Sequence, residues 1–116
     1  MITERPSIRL RLNERVDETR IAEVLYGVEE EGVPVELTRH AELNPLVLAH
    51  EASLESRLGI GIGIGLDFVV ITTEKLPTDR PYLATILNRS VSTDRRAGTN
   101  AARLVKRMPL SDLDAE

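Results

Sequence analysis

Three consecutive carboxylates, Glu29, Glu30 and Glu31, stand directly before Gly32-Val33-Pro34. Gly32 suits the left-handed position just past a helix, and Pro34 forbids continuation, so the glutamates crowd a helix C-terminus. That end carries partial negative charge, which makes it the wrong place for acids. No base stands beside them in the sequence, so the cluster points to a cation or a basic partner. Stepping about 100° per residue, Ile21, Val24, Leu25 and Val28 form a core stripe. Glu30 lands opposite it, with Glu23 and Tyr26 near and Glu29 and Glu31 on the flanks. Gly27 also falls outward on this wheel, where a missing side chain invites another surface. The face reads either as a solvated acidic surface or as a docking face whose Glu30 meets a cation or a basic group of a partner.

A second charged stretch has the opposite sign. Arg89, Arg95, Arg96, Arg103, Lys106 and Arg107 are opposed only by Asp94. In a chain of net charge -4 this is a real asymmetry. It reads equally as a solvated helix face and as a surface for an acidic partner or a phosphate.

No catalytic constellation emerges. There is no HExxH, CxxC or serine–histidine–acid set. His50 lies within a helix with no visible partner; His40 at a strand end has a ligand-contact reading beside the plainer surface or hydrogen-bonded one. Two nucleotide motifs fail on Gly59-Ile-Gly-Ile-Gly-Ile-Gly65: Leu66 stands where the dinucleotide fingerprint needs glycine, and Gly-Lys-Ser/Thr is absent.

The elements that carry these residues follow from periodicity. Residues 7–12 alternate Ile8, Leu10, Leu12 against Arg9 and Arg11, a strand with one buried face. Asp17 caps a helix over residues 18–31. Residues 33–38 resume alternation, completing a right-handed βαβ unit. Asn44-Pro45 starts a second helix reaching about Leu58, with Val47, Leu54 and Leu58 as a weak apolar stripe. The Gly/Ile run is a strand whose glycine face admits a helix or another chain. Gly65-Leu66-Asp67 is a hairpin turn into a strand over residues 68–73, so the sheet is mixed. Residues 82–87 form a short strand, and residues 88–98 read as polar and mobile. A last helix starts near Thr99 or Asn100 and ends at Pro109.

These elements predict an α/β fold: one Rossmann-like domain, residues 1–116, with three helices in two or three layers on a mixed sheet of about five strands. Residues 7–110 form the ordered core, with frayed ends at 1–6 and 111–116. At 116 residues the chain can bury a real core. Acidity argues against general nucleic-acid binding, 3% aromatics leave no stacking platform, and no run is long enough to cross a membrane. The N-terminus lacks a signal-peptide core, and cysteine is absent, which fits a cytoplasmic setting.

Leu25 to Pro34 and Gly98-Thr-Asn-Ala-Ala-Arg-Leu-Val-Lys-Arg-Met-Pro109, with Gly61-Ile62 and Lys75-Leu76-Pro77 between, resemble the small subunit of diol and glycerol dehydratase reactivases. The resemblance spans residues 7–113. It implies a fold similar to the dehydratase medium subunit and a non-catalytic, chaperone-like role. Such a subunit pairs with a large ATPase subunit that uses the ATP. It exchanges onto the large subunit of an adenosylcobalamin-dependent dehydratase, and damaged cobalamin leaves. The resemblance also implies that Glu30 ligates a divalent ion, magnesium or calcium, shared with the large subunit. Glu23, Gly27, Glu29, Glu31, Asn100 and Arg103 are the accompanying interface candidates. No cofactor is implied on this chain alone, and the setting is cytoplasmic or associated with a bacterial microcompartment. A true medium subunit of a cobalamin-dependent dehydratase is the alternative. The glycine content of residues 59–65 exceeds the family pattern.

Overall fold

A computed structural model describes residues 5–114, and the side chains of residues 5–107. The order is β1 (Ile8–Asn13), a 3-10 turn (Glu18–Ile21), α1 (Ala22–Glu30), β2 (Val35–His40), α2 (Pro45–Glu55), β3 (Ile60–Gly65), β4 (Phe68–Thr73), β5 (Leu83–Ile86) and α3 (Val91–Asp114). The sheet runs β2-β1-β3-β4-β5. β1 is parallel to β2 and β3, whereas β4 and β5 are antiparallel additions. This is the mixed sheet that the Gly65-Leu66-Asp67 hairpin predicts. Leu66 and Asp67 take φ of 51° and 66°, the two left-handed positions of a two-residue hairpin turn.

The layering is three-tiered. Steps from β1 to β2 and from β2 to β3 go opposite ways along the sheet, so crossovers of one hand place α1 and α2 on opposite faces. α1 and α3 pack together over Ile8, Leu10, Leu12, Ile60, Ile62, Ile64, Val69 and Ile71, all fully buried. α2 covers the other face, against β3, β1 and β4. The bare side of β3 is what admits it: a Cβ at Gly61 or Gly63 would run into the α2 backbone at Ala49 and Ser53 or at Pro45 and Ala49.

Close contact changes which face of α2 is buried. Pro45, Leu48, Ala49, Ala52 and Ser53 face inward, while Leu54 is 58% exposed. The predicted stripe of Val47, Leu54 and Leu58 is therefore incorrect. A helix lying on glycines needs small residues, so large apolar side chains do not mark its inner face.

α3 also departs from expectation. It starts at Val91, not near residue 99, so residues 91–98 are helical rather than a mobile loop. Ser90 Oγ accepts from Thr93 N–H at 3.0 Å, and buried Asp94 accepts from Asn88 N–H at 3.0 Å, which together fix the helix start. α3 also continues past Pro109 to Asp114; proline costs that helix one N–H bond but does not end it. Of the residues expected to fray, 1–6 and 111–116, residues 111–114 are helical, and residues 1–4 and 115–116 lie outside the described residues.

Candidate docking face

The early start of α3 brings Arg95 onto α1. Its Nε and Nη2 meet Glu23 Oε1 at 2.8 and 2.6 Å, and its Nη1 meets Glu30 Oε2 at 2.9 Å. The guanidinium also lies 5.7 Å from the Tyr26 ring centroid. About three turns further along α3, Lys106 Nζ bonds Glu31 Oε1 at 2.6 Å. The acidic helix end thus has its bases after all, supplied from 65 and 75 residues away. That corrects the inference that the carboxylates stand uncompensated.

The electrostatics follow. The Lys106 hydrogen bond, then its charge, lowers the Glu31 pKa below the usual carboxylate range, with Arg103 adding a smaller pull. The bond to Glu23 raises the Arg95 pKa, with the Glu30 charge assisting. Glu30 nonetheless remains on the surface: its side chain is 59% exposed, and its second oxygen has no partner among the described residues. Glu29 is exposed and makes no side-chain bond among the described residues.

Gly27 is not outward. It is buried, and a Cβ there would collide with the Arg95 carbonyl oxygen and approach Thr99 N to 2.8 Å. Gly98 mirrors it against Val24 on α1. The surface that the bare glycine invites is the chain's own α3. Wheel geometry failed there because α1 is flanked by both sheet and helix, which widens its buried arc. Asn100 and Arg103 lie elsewhere on α3. Asn100 is half-buried beside β5, and Arg103 is exposed with only its charge reaching Glu31.

A family model described as dehydratase medium subunit matches residues 5–111. The chain belongs to the dehydratase medium subunit family. Within it, the diol dehydratase-reactivating factor small subunit of Klebsiella michiganensis is 36% identical over 94 residues, 81% of this chain and 75% of its own. The propanediol dehydratase-reactivating factor small subunit of Salmonella typhimurium is 37% identical over 80% of both chains. Among solved structures, a chain of a diol dehydratase-reactivating factor complexed with ADP and Mg2+ superposes with a TM-score of 0.83 at 32% identity. It covers 89% of this chain and 94% of that one. A glycerol dehydratase reactivase chain gives a TM-score of 0.83 at 30% identity.

Sequence reasoning missed Arg95 as a site residue of this family member. Its signal was present in Ala97, Ala101 and Leu104, spaced i, i+4, i+7 behind the Ser90 cap. His40 takes the plainer of its two readings, bonding Thr38 Oγ1 at 2.6 Å with Arg11 close by at 3.5 Å. Among the described residues, no three of His, Cys, Asp and Glu converge as a metal site.

Proposed function

We propose that this chain is the non-catalytic small subunit of a dehydratase-reactivating complex. It docks through the α1 acidic face onto a large subunit that hydrolyses ATP. It also exchanges onto the large subunit of an adenosylcobalamin-dependent diol or glycerol dehydratase, loosening the enzyme so that spent cobalamin leaves. The observation that carries this reading is the likeness to reactivase chains over nearly their whole length, 94% and 93% of each. The geometry is consistent with a binding part. Charged bridges at an exposed helix end give an interface that forms specifically and releases, as exchange requires.

Glu30 fits a divalent ion as a single ligand. One carboxylate oxygen of this exposed side chain has no partner among the described residues while Arg95 holds the other, so the remaining ligands would come from the large subunit. Such an ion, when bound, would bridge two acidic surfaces. Glu23, Glu29 and Glu31 flank the contact, and Arg103 lies at its margin.

The test is co-expression with a reactivase large subunit. Glu30→Arg is expected to abolish co-elution on gel filtration while the isolated chain keeps its far-UV circular dichroism and cooperative unfolding. Unchanged co-elution overturns the docking face. The medium-subunit reading, suggested by the family's description, predicts instead that the purified complex retains adenosylcobalamin and shows no ATPase activity.

A further inference from the structure

The far edge of the sheet presents a second surface. β5 is the last strand, and among the described residues nothing pairs with its outer side. In an antiparallel ladder alternate residues turn their N–H and C=O away from the partner, so β5 offers free donors and acceptors. The two edges are treated differently. β2, at the other end, carries Glu36 and Arg39, both ion-paired, whereas β5 reads Leu83-Ala-Thr-Ile86 with no charge and no proline. Such an edge is a template for an added strand.

The two faces beside that edge differ in chemistry. Leu83 and Thr85 face α3, and with Thr93, Arg96, Ala97 and Asn100 they line a cavity of ≈ 130 Å³. Arg96, Asn100, Arg103 and Arg107 recur at i, i+4, i+7, i+11, about 60° of arc at 100° per residue. Arg96, Arg103 and Arg107 are exposed and form no ion pair among the described residues, although Arg95 and Lys106 on the same helix both do. The opposite face is apolar: Phe68 pairs across the ladder with Ile86, and they are 44% and 47% exposed beyond the reach of α2.

We infer that β5 and the Arg96–Arg103 stripe form a docking groove for an extended segment of another protein in which acidic and apolar residues alternate. The segment would add as a sixth strand. Because side chains alternate between faces, its acids would meet Arg96 and Asn100 while its apolar residues would continue the Phe68–Ile86 ridge. Charge complementarity selects the acidic occupant, and the free ladder selects an extended one. This inference is independent of the α1 docking face.

The probe is a fluorescein-labelled peptide, Asp-Val-Glu-Val-Asp-Ile-Glu-Val, titrated against the full-length chain and followed by fluorescence anisotropy and amide hydrogen exchange. Saturable binding is expected. It should weaken at least tenfold in Arg96→Glu and in 0.5 M NaCl, with slowed exchange at residues 83–86. The same peptide N-methylated at alternate residues keeps its charge but cannot join the ladder, and it is expected not to bind. Four results each overturn the inference: no binding; equal binding of the N-methylated peptide; equal displacement by inorganic phosphate; or protection of β5 by self-association without peptide. Glu30→Arg should bind the peptide normally, which separates this surface from the α1 face.

Discussion

Arg95 divides its guanidinium between Glu23 and Glu30 and leans over Tyr26, so one side chain neutralises the two carboxylates best placed to meet a partner. These bonds are exposed, and exposed pairs are weak and screened by salt. Arg95→Gln should therefore lower the urea midpoint only modestly, and the difference from the parent should shrink in 1 M NaCl. A large, salt-independent loss would mean that the residue packs more than it pairs. The same substitution should tighten Mg2+ binding to the isolated chain, because it frees both carboxylates; isothermal titration showing weaker or unchanged binding would count against Glu30 as a ligand. Glu30 could be placed outward from the sequence alone, because helical periodicity is local. Its counter-charge could not, because a contact spanning 65 residues depends on how two helices cross.

That crossing is governed by glycine. Gly27 and Gly98 let the α1 and α3 backbones approach until a Cβ on either would strike the other helix. Gly98→Ala is the informative substitution. Intrinsic propensity favours alanine by about 1 kcal/mol within a helix, whereas overpacking a tight contact costs about 1–3 kcal/mol. Because the clash is with backbone, the overpacking cost should fall at the upper end of its range, with a net loss of up to about 2 kcal/mol by urea unfolding; a gain in stability would refute the close crossing. Gly63→Ala should behave alike, at the contact of β3 with α2. The Gly/Ile alternation announced a helix or chain lying close against β3, and α2 lies there. The inner face of α2 was not legible, because a search for large apolar residues passes over Ala49, Ala52 and Ser53. The start of α3 was hidden for a related reason: its first two turns are polar, and only the Ser90 cap and the buried Asp94 fix them.

At the scale of the molecule, strand order and layer count emerge from how those helices seat, while charge pairs fasten the layers at separate seams. Asp17 holds the turn into α1, Glu31 ties α1 to α3, and Glu55 with Glu51 ties α2 to Arg11 on β1. The pKa of each of three carboxylates is lowered: Asp17 by its bonds from Thr19, Glu31 by Lys106, and Glu55 by Arg11. A carboxyl whose folded pKa is depressed adds stability above its unfolded pKa, and that stability is lost as pH falls through the folded value. Arg95 shifts upward and stays charged throughout, so it adds no pH dependence in this range. Stability should accordingly be nearly flat from about pH 7 to pH 5 and should fall below about pH 4, in the range of ordinary carboxylates. Because the three seams lie on both faces of the sheet, acid should loosen all layers together. Far-UV circular dichroism and the fluorescence of the tyrosines, in a chain without tryptophan, should then report one shared transition. Fluorescence moving well before circular dichroism would mean that the α1–α3 seam near Tyr26 opens alone. In that case the docking face would be a separately mobile layer rather than a rigid part of the sandwich.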